Sequence, residues 1–562
     1  MEHPEVFYTY EWAIAVQRAS ENLVTPIVVL AYENESLVGV AALARKNIGQ
    51  LVFLTADTGD YCEFLSAPSA RREFVQAVIS EFRARGFANA VLTNLPADSA
   101  SVDAISEGCS RSGYQLHTRA AYDCAQVRLG SAGERVLLKQ SILAKKRLRR
   151  NLRELAKRGK VTLRHETDWG EIQSLLPPFT RAHIARFLET GKTSNLIRQE
   201  RRVFLEELAR ELSCPGWIAF SQLLVNGVTA AWNYGFRFAG SWFWYQPTVN
   251  DYYGDFSPGY CLLAKIVELA CDSPELSVVD LGLGAEGYKE RFANASRQTI
   301  YCELNRSRVR HWRALARYWT AAIATASPLL ERHIRSVLSF LSEIRGTMMS
   351  AGLGATLKGV SRRIRRALFS YDKVLFFEWP SDNGAPDSFG IHLEPLTSDA
   401  LGAAAVQYGN DPASLRFLTR SAQRLRSDGG EGFVLMTDED IPVHFCWAKA
   451  FEGFQMAELN RPLQAPCENA VMIFDCFTPD SARGQGFFPQ AIAMLARHLS
   501  SQGKSVWIFG AETNRASVWG IEKTDFQYKF TLGRRRILLF SQSRDSVPVS
   551  VASSHESRGS TS

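Results

Sequence analysis

The chain has 562 residues, of which 46% are apolar and 22% charged, so it is too long for one core and has the composition of a soluble globular protein. Its ten cysteines form no CxxC pair and no His/Cys cluster, which argues against a disulfide framework or a metal site and favours a cytoplasmic location. The opening MEHPEVFYTY predicts no signal peptide, and no apolar run is long enough for a transmembrane segment.

The net charge of +7 is concentrated in one segment. Lys139–Lys160 contains ten Lys/Arg and one Glu, so the remainder of the chain is slightly acidic. A basic helix of this kind is suited to phosphates, including those of tRNA, or to another anionic surface. The alternative is a solvated helix face that binds nothing.

The first predicted unit, residues 1–135, begins with a hairpin, IVVLAYENESLVGVAALA. The buried strand LVFLT follows, then the helix REFVQAVISEFRARG ending on Gly86, the strand ANAVLTNL and the helix SVDAISEGCSRSG. YQLHTRA and YDCAQVRL are predicted as its last strands.

The second predicted unit, residues 136–308, repeats this order after the basic helix. Its hairpin has an Asn-Gly turn at 226–227, and an aromatic strand, SWFWYQP, follows. Ser257 is a predicted N-cap with Pro258 at the first helical position. A strand then ends on Asp280, and a short helix carries Lys289.

A helical bridge over 309–369 is predicted to lead to a third unit, residues 370–541. Here AVMIFDCF precedes the Gly-rich loop TPDSARGQGFFP, a helix, the strand SVWIFGAE, a short helix and two strands. Three matching orders predict one α/β architecture of mixed sheets used three times in tandem. The Ser-rich tail, 542–562, is predicted to be disordered.

The loop of the third unit has the properties of an anion site. A strand that runs into a helix N-terminus presents free N–H groups to a phosphate. Ser481-Ala-Arg483-Gly484-Gln-Gly486 resembles the acyl-CoA motif of the GNAT acetyltransferases, Gln/Arg-x-x-Gly-x-Gly/Ala. The resemblance implies that Arg483, Gly484, Gly486 and Asn514 hold acetyl-CoA or another acyl-CoA. A tight turn with a solvated Arg is the alternative.

The third unit also departs from that pattern. The first position of the motif is Ser481, and Ile521 stands where the family often has a tyrosine proton donor. A GNAT-like unit without its usual acid is consistent with a non-catalytic role.

Residues 21–308 resemble the CelD-like, BioF-type acetyltransferases of polysaccharide biosynthesis, which are related to the FemABX transferases. The resemblance rests on five segments, namely Leu37–Val40, Leu224–Gly227, Ser257–Gly259, Asp280–Gly282 and Gly287–Phe292. It implies that the first two GNAT-like units pack as a FemABX-like pair. It also implies that Lys289 lies by the acyl donor and stabilises the oxyanion.

The residue chemistry agrees with acyl transfer. Such a reaction needs a positive group where charge develops on the carbonyl oxygen, for which Lys289 is the candidate, and a base, for which Asp280 or Glu286 is the candidate. Tyr245 is expected to face the site. In the alternative, Lys289 is a surface charge, Asp280 caps a turn and the aromatic residues are strand core.

Ser257 and Gly259 are further cofactor-binding candidates, since they begin a predicted helix.

Three functions follow from these patterns. The first is an acyl-CoA-dependent N- or O-acyltransferase whose acceptor is a small molecule or saccharide, in particular a polysaccharide or cell-envelope precursor. The second is a FemABX-type aminoacyl transferase that uses charged tRNA. The third is a non-catalytic GNAT-like accessory protein of a synthase complex.

Overall fold

The computed structural model describes residues 4–46, 49–284, 287–325, 369–380, 390–427, 429–537 and 540–546. The chain divides into an N-terminal body, residues 1–187 with 193–327, and a C-terminal body, residues 188–192 with 328–562. Most of the predicted bridge, residues 326–368, lies outside the described residues. So do Glu286, one of the two predicted bases, and residues 547–562 of the predicted tail.

The N-terminal body is built on one twelve-stranded mixed sheet. Its strands are β1 Val24–Glu33, β2 Ser36–Lys46, β3 Leu51–Phe53, β4 Leu65–Ser66, β5 Asn89–Pro96, β6 Gln115–Arg128, β7 Val161–Glu166, β8 Ile218–Val225, β9 Val228–Phe238, β10 Ser241–Val249, β11 Val278–Asp280 and β12 Ala295–Asn305. The strand order is β1-β2-β3-β5-β12-β6-β11-β10-β9-β8-β7, and β4 pairs with β2. The predicted mixed α/β class is confirmed here.

Helices cover this sheet and enclose two apolar cores. They are α1 Tyr10–Ala19, α2 Arg71–Ala84, α3 Ser101–Ser112, α4 Ala132–Leu143, α5 Lys146–Ala156, α6 Trp169–Glu189, α7 Gln199–Ser213, α8 Pro258–Asp272 and α9 Arg308–Thr325. One core contains Phe53, Phe74 and Ile79 of the first half, and the other contains Leu223, Trp242 and Ile266 of the second.

The two halves of the sheet exchange their long strands. β12 lies between β5 and β6 and is antiparallel to both, while β6 pairs with β11. The last strand of each predicted unit therefore lies in the other half of the sheet. The predicted domain limits 1–135 and 136–308 fall within this single sheet. They stay a prediction.

Each half retains one parallel pair of strands, β3 with β5 and β10 with β11. The loops that follow β3 and β11 bring Asp60 and Lys289 to the candidate site.

The C-terminal body has an eight-stranded mixed sheet of order β14-β15-β16-β19-β20-β13-β21-β22 and a two-stranded sheet, β17-β18. The strands are β13 Phe369–Glu378, β14 Ile391–Pro395, β15 Glu431–Thr437, β16 Pro442–Ala450, β17 Gln455–Met456, β18 Arg461–Pro462, β19 Ala470–Phe477, β20 Ser505–Ala511, β21 Gln527–Ile537 and β22 Phe540–Ser546. The helices are α10 Ser398–Tyr408, α11 Pro412–Leu425, α12 Phe487–Ser500 and α13 Arg515–Glu522.

The predicted start of the tail at residue 542 is wrong, because β22 continues to Ser546 along β21. A Ser-rich strand with few apolar residues gives no strong periodicity, so pairing with β21 overrides its composition.

Candidate active site

Asp280 ends β11 and fixes the turn that follows it. Its side chain is 2% exposed. The backbone N–H of Gly282 donates to its Oδ1, and the Tyr61 hydroxyl and Gln126 Nε2 both donate to its Oδ2, each at 2.8 Å. Three donors hold this carboxylate in place, so the geometry favours an anchoring role, and its predicted role as a base stays a prediction.

A cavity of about 650 Å³ lies beside this turn. Both halves of the sheet contribute residues to it. Its lining includes ionisable side chains from five separate segments, namely Asp57, Asp60, Arg119, Arg201, Tyr245 and Lys289. The structure thus brings together two of the predicted catalytic residues, Tyr245 and Lys289.

Lys289 is 6% exposed and begins a short 3-10 turn. Its Nζ donates to the carbonyl oxygen of Leu283 at 2.9 Å. This contact closes the loop after β11 on itself and holds the ammonium group at the cavity. The alternative of a surface lysine is therefore wrong, while the catalytic role stays a prediction.

Asp60 is a candidate that the sequence patterns did not reveal. It lies half-buried on the loop after β3 and lines the cavity with Lys289. Burial, together with the nearby charge of Asp280, raises the pKa of Asp60 to about 7, against the opposing effects of Lys289, Arg201 and the backbone N–H of Leu283. A carboxyl with such a pKa is suited to accept a proton near neutral pH.

One feature could have indicated Asp60 in advance. The loop after β3 holds the same place in the first half of the sheet as the loop after β10, which leads to the predicted site residue Ser257, holds in the second.

Tyr245 lies on β10, where the pairing with β9 shifts register between Phe243 and Gln246. Its hydroxyl donates to the Thr58 carbonyl oxygen and accepts from Arg201 Nη2, both at 2.6 Å. Burial raises the pKa of Tyr245 to about 12 although Arg201 opposes the shift, so the phenol is neutral. Arg201, in the first turn of α7, is the second residue that the sequence patterns did not reveal.

The start of α8 has the predicted form in one respect. Ser257 occupies the N-cap and Pro258 the first helical position. The Ser257 side chain makes no capping hydrogen bond, because Ser257 has a φ of 47° and its Oγ accepts from Arg147 Nη2 at 3.2 Å. Gly259 follows within the first turn, and cofactor binding by Ser257 and Gly259 stays a prediction.

The basic helix α5 lies beside this start of α8. Besides its bond to Ser257, Arg147 has its guanidinium carbon 5.7 Å from the centre of the Tyr260 ring. Arg158, just after α5, stacks on Phe256 at 3.9 Å. Both arginines are exposed. The guanidinium groups of these two arginines therefore lie beside the free N–H groups at the start of the fifteen-residue helix α8. Such a combination of charge and N–H donors is suited to bind an anionic group.

The predicted cofactor loop of the C-terminal body also has a suitable backbone. Gly484 and Gly486 have φ of 81° and 82°, and α12 begins after Gly486 without a side-chain cap. Arg483 is exposed and pairs with Asp480 at 2.8 Å. Asn514 caps α13 by accepting from the Ser517 N–H at 3.3 Å, which gives it a local structural role.

Two glycines of the loop after β11 provide a matched test of the cavity. Both have positive φ, 71° at Gly282 and 94° at Gly284. A Cβ at Gly282 would lie 2.7 Å from Asp60 Oδ2, whereas a Cβ at Gly284 meets nothing within 4 Å. We expect Gly284→Ala to incur only the backbone cost, about 1–2 kcal/mol.

Gly282→Ala is expected to add displacement of Asp60 and a loss of turnover. Chemical denaturation and steady-state turnover of both variants check this. Equal turnover in the two variants would show that the close approach of Gly282 to Asp60 does not matter.

Comparison with known proteins bears on the second half of this body. Residues 144–290 match the family model described as "Acetyltransferase (GNAT) domain". This segment forms a GNAT domain. The GNAT domain contains β7–β11, α8 and Lys289. The predicted relationship to the GNAT superfamily is thereby confirmed, and with it acyltransferase chemistry at the level of the domain. No curated protein matches the chain.

Solved structures show distant similarity. FemX is 9% identical, with a TM-score of 0.38, covering 55% of this chain and 94% of its own. The C-terminal DUF2156 domain of an Agrobacterium fabrum protein named as a lysylphosphatidylglycerol synthetase is 10% identical, with a TM-score of 0.36 and coverages of 54% and 90%. A tandem GNAT protein of the clavulanic acid pathway is 12% identical, with a TM-score of 0.30 and coverages of 51% and 86%. These similarities are too distant to bear on what the chain does.

Two classes of feature are absent from the described ranges. None of the helices in them has both the length and the apolar character needed to cross a bilayer. In the same part of the chain, no group of three or more His, Cys, Asp or Glu side chains is arranged to hold a metal ion.

Proposed function

We propose that the N-terminal body is an acyl-CoA-dependent N- or O-acyltransferase. The observation that carries this proposal is the convergence of Asp60, Lys289 and Tyr245 on one cavity next to the GNAT domain's β10 and β11. Acyl transfer needs a base, a positive group for the oxyanion and a neutral hydrogen-bonding group, and Asp60, Lys289 and Tyr245 suit these three roles.

The side chains suggest the following division of roles. Asp60 accepts the proton of the attacking amine or hydroxyl as the new N–C or O–C bond forms. Lys289 uses one of its three N–H groups on Leu283 and keeps two for the carbonyl oxygen, on which negative charge develops. The C–S bond of the thioester then breaks, and the protonated Asp60 returns its proton to the thiolate. No covalent enzyme intermediate is needed.

The start of α8 is our proposed site for the CoA phosphates. Ser257 and Gly259 lie there, and Arg147 of α5 adds charge. The loop of Arg483, Gly484 and Gly486, with Asn514, is the corresponding proposal for the C-terminal body. The acceptor, following the resemblance to CelD-like proteins, is proposed to be a polysaccharide or cell-envelope precursor. All ten cysteines are free thiols, which supports a cytoplasmic site of action.

A second candidate function is supported by α5. This helix exposes Lys146, Arg149, Arg150 and Arg153 in addition to Arg147. Such a surface would suit the phosphates of a charged tRNA, as a FemABX-type aminoacyl transferase requires. Binding of this kind is steeply weakened by salt.

Ligand-dependent melting distinguishes these functions. We expect acetyl-CoA or a longer acyl-CoA to stabilise the full chain, by about 2.7 kcal/mol at a concentration of 100 times Kd. Thermal unfolding should be followed with acetyl-CoA, longer acyl-CoAs and charged tRNA, each at low and high salt.

Arg147→Ala tests the start of α8 as the CoA site, and Arg483→Ala tests the loop of the C-terminal body. Only the variant at the true CoA site should lose the acyl-CoA-dependent increase in melting temperature. If none of the acyl-CoAs changes the melting temperature of the wild type, the acyl-CoA proposal is wrong. A salt-sensitive shift with charged tRNA alone would favour the second candidate.

A further inference from the structure

Arg201 is a buried cation whose hydrogen-bonding capacity is mostly unused. Its side chain lines the cavity, and the residue is 7% exposed. Nη2 donates to the Tyr245 hydroxyl at 2.6 Å. Nε and Nη1 are buried and have no hydrogen-bond partner among the described residues. These two nitrogens carry three of the five N–H groups of a guanidinium.

Such an arrangement is costly unless something compensates it. A buried charge needs a counter-charge or a full set of hydrogen bonds. The Phe204 ring lies 4.8 Å from the Arg201 guanidinium carbon and offers only a weak cation–π contact. Asp60 interacts with Arg201 electrostatically, but its raised pKa leaves it only partly ionised near neutral pH. The unpaired N–H groups of Arg201 would therefore be stabilised by an anionic oxygen bound in the cavity.

We infer that the acceptor substrate carries a carboxylate, which Arg201 binds inside this cavity. The inference rests on the proposed acyl transfer and names the substrate class for it. Planar carboxylates match the donor geometry of arginine, and charge-assisted hydrogen bonds of this type are the stronger ones. The cavity volume of about 650 Å³ lies within the range of small-molecule sites.

A carboxylate fits the local charges better than a phosphate. Asp60 lines the same cavity, and Asp280 lies near enough to raise the pKa of Asp60. A dianion would meet more repulsion from these carboxyls than a monoanion does. The Lys289 ammonium is meanwhile assigned to the acyl carbonyl. Arg119 also lines the cavity, but it is only half-buried and its guanidinium carbon lies 4.3 Å from the centre of the Tyr301 ring, so Arg201 is the deeply buried cation left for the acceptor.

The consequence is a rule for the acceptor. Its nucleophilic amine or hydroxyl must lie near Asp60 while its carboxylate reaches Arg201, so both groups belong to one compact molecule or terminal residue. Amino acids and uronic acids have this form, whereas neutral sugars do not.

Binding of matched probes to the full chain tests the inference. The pairs are alanine with alaninamide and glucuronate with glucuronamide, with inorganic phosphate as a further probe, measured by ligand-observed NMR titration. We expect at least one acid to bind the wild type about tenfold or more tightly than its amide, as one charge-assisted hydrogen bond provides. Arg201→Gln should abolish this preference, and Arg201→Lys should restore part of it.

Arg198→Gln is the matched control, because Arg198 is exposed and directly precedes the same helix. It should keep the preference. The wild-type comparison of acid with amide stands even if Arg201→Gln does not fold.

Three results would overturn the inference, namely equal binding of acids and amides, tighter binding of phosphate than of either acid, and a preference that survives Arg201→Gln. Melting with acyl-CoA is measured on the same samples. A carboxylate preference without any acyl-CoA shift would remove the proposed acyl transfer and leave the carboxylate site. A melting shift with acyl-CoA but no carboxylate preference would keep the proposed acyl transfer and remove the carboxylate site.

Discussion

Asp60→Asn is expected to lower kcat/KM by roughly 10²–10⁴-fold while the protein stays folded. The amide keeps the shape of the side chain and one acceptor oxygen for the Leu283 N–H, but it cannot take up a proton. Asn also removes a half-buried carboxyl, so stability should not fall. Turnover is measured as release of free CoA thiol in the presence of an acceptor, with circular dichroism as the check on folding.

The pH dependence gives this prediction a second readout. As a base, Asp60 must be ionised, so kcat/KM should rise about tenfold per pH unit up to its pKa of about 7 and then level off. Stability has the opposite trend. Because the folded state holds this proton more tightly than the unfolded chain does, stability from this group falls as pH rises between the ordinary aspartate value of 3.8 and about 7. Both trends should disappear in Asp60→Asn.

The control for Asp60 is Asp103→Asn. Asp103 is exposed in the first turn of α3 and lies outside the cavity. It should retain wild-type turnover and the wild-type pH profile. A wild-type pH profile in Asp60→Asn would assign the base elsewhere, with Asp280 and Glu286 the remaining candidates.

Lys289→Met should lower kcat by about 10²–10³-fold, the usual effect of removing one oxyanion donor. Met is similar in length and apolar, so the buried site stays filled. The Leu283 carbonyl oxygen loses its donor, and we expect a modest loss of stability, about 1–3 kcal/mol. Steady-state kinetics with acyl-CoA and denaturant unfolding measure the two effects separately.

Gly484→Val is the companion variant for the C-terminal body. Its φ of 81° disfavours a β-branched residue, so the proposed CoA loop should be disrupted there. If the N-terminal body is the active one, Gly484→Val retains turnover and Lys289→Met loses it. The reverse result would assign the chemistry to the C-terminal body. Lys265→Met, which removes a half-buried pair with Glu268 outside the cavity, controls for loss of a lysine.

The sequence patterns indicated Tyr245 and Lys289, two second-half residues that line the cavity. Helix and strand ends have local signals, so the Ser257-Pro258 helix start and the Asp280 turn could both be read from a few neighbouring residues. The resemblance implied a place for Lys289 by the acyl donor, and this role stays a prediction, whereas its burial was not predicted.

Asp60 and Arg201 were missed for a physical reason. Nothing local distinguishes an aspartate in a loop or an arginine at a helix start. Asp60 could be sought only through the equivalence of the loops after β3 and β10, and the significance of Arg201 arises from the cavity it shares with Lys289. That cavity depends on contacts such as Tyr61 with Asp280, which are 219 residues apart in sequence. Periodicity predicts elements but not which strands pair, so neither the exchange of β6 and β12 nor this meeting of loops was predictable.

The exchange of β6 and β12 also determines how the N-terminal body can come apart. A fragment that ended near residue 135 would keep β6 without β11 or β12, the strands that flank it. The GNAT segment alone would lack β6, so β11 would pair only with β10 and keep one edge unpaired. Neither half is a self-sufficient folding module. We therefore expect a destabilising substitution in the first half to destabilise the GNAT domain as well, because both halves share this ladder.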